Sequence, residues 1–563
     1  MSFPRKATSP ASLNVPHPGS HTGAGVQNGF QSEWPQGLWI AITVLVLLVP
    51  LIGYVLLPRL GINTLGEMLN LKLMVALVGL LVGGAIYWAY LRWALPRPVV
   101  LLGFIMLAWP LVDYCNEQLM QLGLNIHLRP LLILGLGLPA LWLGLQSFRL
   151  LWKQLPGVWI YLLFIGWITL YAFLYNANAS DPRLGGGEDA IFSEGSVSFV
   201  QWTAYMYCLL GMALAGVTVF KAKNYQRLFD QLNIALLWVS SLEALITIAG
   251  YPIGWFTIFL DGFTRSIGIF THPNPFAHHM GVLMIYLLGL FCYYQGYRKA
   301  RVPGWLLFAG LLVNFCAFLL GLSKTALGVF VLCATVVFLM NLAVPAVRRS
   351  FGKIVLTLIV LMPLGIVGFQ ALSGQSFMGL LESRIDQTQS LTWRVIVWQD
   401  LIADINSTTV WLGHGFTAAN DTVFRLTFND AKDAQPLMMV HNAYIALLYD
   451  FGLTGYLMFA AALTFLWQGL YQWFNATHPG QRSLHATIVA LVIYFMVVCG
   501  FDEMSYMFDA PMLFWALVTL LASVAFREQQ DERRRRIHAS DHAQSVLRQS
   551  LYPSAPVFAG GLK

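Results

Sequence analysis

Stretches of about 20 mostly apolar residues recur along nearly the whole chain, and each is long enough to cross the hydrocarbon core of a bilayer as a helix. Of the 563 residues, 57% are hydrophobic and only 10% are charged, more apolar side chain than a water-facing surface can hide. The pattern therefore predicts an all-α polytopic membrane protein. It excludes a disordered chain, a coiled coil and a secreted disulfide scaffold. The cysteines, Cys115, Cys208, Cys292, Cys316, Cys333 and Cys499, fall inside apolar stretches without paired spacing and read as small hydrophobes. The formal charge of +7 does not describe a nucleic-acid-binding face, because the basic residues are scattered among short loops.

Length and polarity predict roughly fourteen spans: 38–57, 71–91, 99–117, 130–147, 156–175, 197–219, 231–249, 277–296, 304–321, 325–344, 353–372, 443–471, 485–502 and 510–526. With the N-terminus inside, the inward connections collect Arg92, Arg97, Arg149, Lys153, Lys221, Lys223, Arg227, Arg298, Lys299, Arg301, Arg348, Arg349, Lys353 and Arg482. The outward ones hold few cations, so the positive-inside rule places both termini in the cytoplasm. Five regions follow: a disordered cytoplasmic tail over 1–36, a transmembrane bundle over 37–372, a large outward loop over 373–442, C-terminal transmembrane helices over 443–526, and a basic cytoplasmic tail over 527–563. In that tail the run Arg533 to Arg536 reads as an anchor to anionic phospholipid of the membrane. The loop over 373–442, with a helix expected near 390–405, is long enough to suggest function. Segment 251–261 is apolar but too short to cross, and predicts an interfacial or re-entrant helix.

His441 closes the large loop at the start of the next span, in the run His441-Asn442 to Gly452 and Gly455. Unpaired backbone N–H groups and the macrodipole make a helix N-terminus electropositive and disfavour imidazolium there. A neutral imidazole can act as a general base near neutral pH, whereas the plain alternative is a polar cap at the membrane boundary. Arg265, Lys324 and Arg394 fall on the same outward side at headgroup level. Taken singly, each reads as an interface anchor, most of all Lys324. Together with His441 they would form a pocket for a diphosphate, because guanidinium forks match phosphate oxygens and stabilise charge developing on a leaving group.

The remaining polar residues carry weaker signals. Gly413-His414-Gly415 reads as a turn with His414 incidental, His278 and His279 as caps or liners of a helix start, and His272 as part of a Pro-bounded turn. Asp502, Glu503 and Asp509 form an outward acidic loop in which Glu503 could orient a base or an arginine. Arg183 could join a donor or acceptor phosphate, with a solvated side chain as its plain alternative. Glu243 and Asp113 are the main charges within spans, and Glu243 is expected to pair with Ser240 or Ser241. No Walker loop, H-E-x-x-H, dinucleotide fingerprint or Asp-x-Asp pair occurs. Metal-assisted glycosyl transfer usually uses such carboxylates, so a chemistry without metal or other cofactor, and without nucleotide, is expected.

The His-Asn, nine residues, Gly, two residues, Gly pattern of His441, Asn442, Gly452 and Gly455 resembles that of the bacterial O-antigen ligase family and its polymerase and protein O-oligosaccharyltransferase relatives. Arg394 with Trp398, the Gly413-His414-Gly415 turn, Arg265 with Asn274, and the Ser323-Lys324 hairpin resemble the family's other landmarks, although Ser-Arg is commoner at that hairpin. The resemblance covers roughly 230–510. It implies 12–14 transmembrane helices in a glycosyltransferase C-like fold and an inverting, metal-independent transferase. The implied donor is O-antigen on undecaprenyl diphosphate and the implied acceptor lipid A-core. His441 would be the base; Arg265, Arg394 and Lys324 would hold the diphosphate, with Asn442, Glu503 and Arg183 in support. The rival readings are a polymerase, a protein glycosyltransferase and, from another class, a lipid or solute transporter.

Overall fold

The computed structural model describes residues 154–176, 194–260, 263–270, 272–296, 302–342, 344–352, 389–416, 418–420, 422–423, 440–502 and 509–551, and the single positions 102, 367, 370 and 379. All of them belong to one compact unit, Arg59–Lys563. The spans expected over 38–57, 71–91, 130–147 and, but for single residues, 99–117 and 353–372 lie outside the described residues. So do both tail ends, Arg183 and Glu503.

Apolar sequence becomes helix wherever a span was expected among the described residues. The helices are α1 (Pro156–Asn176), α2 (Glu194–Lys221), α3 (Tyr225–Gly250), α4 (Pro273–Gly296), α5 (Gly304–Leu320), α6 (Lys324–Asn341), α7 (Gln389–Asp404), the short α8 (Thr409–Leu412), α9 (Ala443–Phe451), α10 (Leu457–Asn475), α11 (Pro479–Phe501) and α12 (Asp509–Leu551). Seven helical segments among the described residues are long and apolar enough to cross a membrane, as an all-α polytopic membrane protein requires.

Helix α11 lies at the centre, packed against α4, α6, α10 and α12, while α12 also lies along α2. Small residues permit the closest approach: a Cβ on Gly281 or Gly289 of α4 would run into Tyr494 or Thr487 of α11. In lipid, where apolar side chains gain little by leaving the solvent, such backbone proximity is a main source of helix association.

One expectation is corrected and two gain detail. Segment 251–261 is not a helix: a 3₁₀ turn, Tyr251–Ile253, leads into strand β1 (Thr257–Leu260), which pairs antiparallel with β2 (Phe263–Ser266), Ile258 opposite Arg265. The span over 443–471 is interrupted by the 3₁₀ segment Gly452–Tyr456 between α9 and α10. Residues 527–551 continue the last span as helix, because Arg527 donates to the Phe220 carbonyl and Thr477 to Glu532, tying the extension to neighbouring elements.

The interruption has a steric cause. Gly413 and Gly452 both adopt positive φ, and a Cβ on Gly413 would collide with the Asp450 carbonyl, one on Gly452 with the Trp411 backbone. Two main-chain segments therefore cross in near contact, which only glycines permit. The amides of His414 and Gly415 donate to the Tyr449 and Asp450 carbonyls at 2.8 and 3.0 Å, satisfying carbonyls that the end of α9 leaves open. The first glycine of the His441 pattern is thus where the loop after α8 docks.

Candidate active site

The C-terminus of α11 gathers the site. A helix leaves its last carbonyls without intrahelical partners, at the negative end of its dipole. Three consecutive residues receive three different donors there. The Asn442 side chain donates to the Gly500 carbonyl at 3.2 Å, Arg394 Nη1 to the Phe501 carbonyl at 3.3 Å, and His441 Nδ1 to Asp502 Oδ1 at 3.4 Å. Asn442 also caps α9, accepting from the amides of Tyr444 and Ile445. His441 lies one residue before that cap with φ of 53°, a conformation that costs a residue with a Cβ and recurs at functional sites. Arg394 reaches Phe501 from α7, which Trp398 fixes by donating to the Val440 carbonyl at 2.7 Å. Arg394 and His441 are therefore brought together, although they lie far apart in the chain.

Asp502 is 3% exposed, and its second oxygen accepts from His278 Nε2 of α4 at 3.0 Å. Burial by itself raises the Asp502 carboxyl; the hydrogen bonds it accepts from His278 and His441, with their charge once protonated, outweigh it and hold the group well below the usual carboxylate range. A carboxylate only accepts, so the proton of His441 facing it lies on Nδ1 and the ring's lone pair on Nε2. That arrangement presents a base with a carboxylate behind it, able to stabilise the imidazolium formed by proton uptake.

Arg265 of β2 is buried, donating through Nε and Nη2 to the Gly321 carbonyl at 3.1 and 3.0 Å and through Nη2 to Asn274 at 3.1 Å. It clamps the β-hairpin to the α5–α6 turn and to the start of α4. Asn274 and His278 are four residues apart on α4 and share a helical face, so Arg265 and Asp502, the partner of His441, attach to successive turns of one helix. Lys324 is exposed at the first position of α6, three residues beyond Gly321, where Ser323 caps the helix by accepting from the Ala326 amide. Leu322 between them has φ of 49°, a second strained position at this face.

Several expectations change here. Asp502, read from the sequence as part of a plain outward acidic loop, is the acid that contacts His441, while Glu503 lies outside the described residues. His278 is not a cap, but reaches across to α11. His414 is not incidental: its ring stacks on Tyr449 with centroids 4.0 Å apart, and its Nε2 lies 3.6 Å from Asp404. Glu243 faces His279 at 3.8 Å rather than Ser240, whose hydroxyl donates to the Leu237 carbonyl. His272 does serve its turn, accepting from the Asn274 amide. The spacing Asn274-x-x-x-His278 was the available signal for the α4 face.

Fold and site define a multipass helical membrane protein with a histidine–aspartate pair at a helix end and an arginine beside it. Residues 306–460 match the family model described as O-Antigen ligase, which places this stretch in the O-antigen ligase superfamily. The matched stretch contains Lys324, Arg394, His441 and Asn442; Arg265, His278 and Asp502 lie beyond its ends. Among curated proteins, no sequence matches the chain.

Proposed function

We propose that the protein is an O-antigen ligase: an inverting, metal-independent glycosyltransferase of glycosyltransferase C-like fold. It transfers O-antigen polysaccharide from undecaprenyl diphosphate to a sugar hydroxyl of lipid A-core, at the periplasmic face of the bacterial inner membrane. The observation that carries the reading is the His441–Asp502 pair with Arg394 on the adjacent carbonyl, inside and beside the matched stretch. His441 Nε2 takes the proton of the acceptor hydroxyl. The hydroxyl oxygen bonds to the anomeric carbon from the face opposite the diphosphate, and the carbon–oxygen bond to the diphosphate breaks with its electron pair leaving on that group. Arg394, Arg265 and Lys324 supply positive charge for the departing diphosphate, as preorganised cations stabilise charge only where it develops. Glu503 and Arg183 remain candidates for support.

The test is transfer by purified protein from lipid-linked glycan to lipid A-core in the presence of EDTA. Turnover is expected to persist, and His441→Ala to abolish it while retaining donor binding, because a base acts on the acceptor's proton. Loss of turnover on chelation, or normal turnover in the variant, would refute the proposal. Deletion of the gene separates the polymerase alternative: a ligase defect accumulates long glycan on the carrier lipid, a polymerase defect leaves lipopolysaccharide capped with one repeat unit.

A further inference from the structure

The second side of Asp502 is as closely built as the first. His278, completely buried on the second turn of α4, uses both ring nitrogens: Nε2 to Asp502 Oδ2 at 3.0 Å, and Nδ1 to the Tyr494 hydroxyl of α11 at 3.3 Å. Because the carboxylate can only accept, Nε2 carries the proton, and in the neutral ring Nδ1 then accepts from the tyrosine O–H. The phenol reaches Nδ1 through a slot made by Gly281, one turn along α4 from His278, where a Cβ would collide with the Tyr494 hydroxyl. Tyr494, His278, Asp502 and His441 thus form one chain of polar contacts running from the packed interface of α4 and α11 out to the half-buried imidazole.

We propose that His278 is a positioning residue for the transfer, with Tyr494 orienting it in turn. It holds Asp502 rotated so that Oδ1 stays on His441, which fixes the His441 tautomer with its lone pair on Nε2. This rests on His441 being the base. His278 is sealed between helices and meets no substrate, so its effect falls on the chemical step and not on binding. An unconstrained carboxylate would sample other rotamers, and the charge-assisted contact to the forming imidazolium would weaken.

The test compares His278→Leu with His278→Gln in purified protein. Glutamine places an amide N–H near the position of Nε2 and keeps the donor to Asp502, whereas leucine fills similar space without one. His278→Leu is expected to lower kcat by about 10- to 100-fold, the loss of one hydrogen bond to a charged group, with KM for donor and acceptor nearly unchanged. His278→Gln is expected to recover most of that loss. Tyr494→Phe, which keeps the ring and removes only the hydroxyl, covers the case in which His278→Leu does not fold; it is expected to reduce kcat by a smaller factor at constant KM. Normal kcat in His278→Leu, or equal loss in the folded leucine and glutamine variants, would overturn the proposal, as would normal kcat in Tyr494→Phe for its tyrosine half. His441→Ala, measured alongside, keeps the two readings apart. Activity in that variant removes the base itself, whereas an inactive His441→Ala beside a normal His278→Leu removes only the positioning role.

Discussion

Asp502→Asn preserves shape and removes one charge, so its consequence can be worked from the geometry. Two unit charges 3.4 Å apart, the distance from His441 Nδ1 to Asp502 Oδ1, interact by about 5 kcal/mol at an effective dielectric of about 20. That figure is a ceiling, because the asparagine oxygen still accepts a hydrogen bond and the His441 side chain is 16% exposed to screening water. The better measure is the loss of one charge-assisted hydrogen bond, about 1.5–3 kcal/mol, or roughly a 10- to 150-fold fall in kcat. Imidazolium exists only once the proton has moved, so the loss falls on the transition state and donor KM stays nearly constant. The assay is steady-state transfer with kcat and donor affinity measured separately. Asp502→Asn with normal kcat, or with impaired donor binding and intact kcat, would refute the reasoning. Stability provides a second readout. The folded carboxyl lies below its ordinary value, so its contribution is present above the unfolded pKa of about 3.9 and is lost as pH falls toward the lowered folded value. Wild type should melt above Asp502→Asn at neutral pH, and the difference should begin to close only below about pH 4.

Gly413→Ala must place a Cβ against the Asp450 carbonyl while holding φ of 74°. It should cost about 1–3 kcal/mol and loosen the α7–α8 segment, seen as faster limited proteolysis there; unchanged cleavage would contradict the backbone crossing. Asn442→Ala removes the cap of α9 and the tie to Gly500. The expected cost is about 1 kcal/mol or somewhat more, read as a lower melting temperature, with kcat also reduced because His441 is the residue next to it.

The bilayer explains which parts of this architecture were legible. Span positions follow from apolar length alone, and α1 to α6, α10, α11 and the first part of α12 fall where hydropathy puts them. The β-hairpin did not, although Asp261-Gly262 stands between Thr257–Leu260 and Phe263–Ser266 as a two-residue turn signal. Its strands are only four residues each, TIFL and FTRS, too short for an alternation that would distinguish a half-buried strand from a short helix. The break after Phe451 was hidden as well, since Gly452 and Gly455 are tolerated inside apolar helices; the passing Trp411 backbone is what makes Gly452 necessary, and the Leu447 carbonyl of α9 crowds Gly455. His441, Arg265 and Arg394 stood out because cations and imidazoles are rare at a membrane face. His278 did not, because a histidine followed by another histidine in an apolar helix gives no indication of which one points toward an acid more than two hundred residues away.

The place of Asp502 shows what sequence order leaves open and a helix end settles. From the sequence it is one of several acids expected on the outward side after the same span. The amide of Asp502 still donates to the Val498 carbonyl at 2.8 Å, while its φ and ψ of −150° and 157° have left the helical region. It is the cap, the last residue whose direction the helix fixes. A carboxylate at the negative end of a helix dipole is unfavourable by itself, so its position requires donors. His278 and His441 provide them directly, and Arg394 and Asn442 cover the two carbonyls just before it. The same unfavourable placement that demands four donors is what draws a loop helix, a pre-span histidine and the start of α4 to one point.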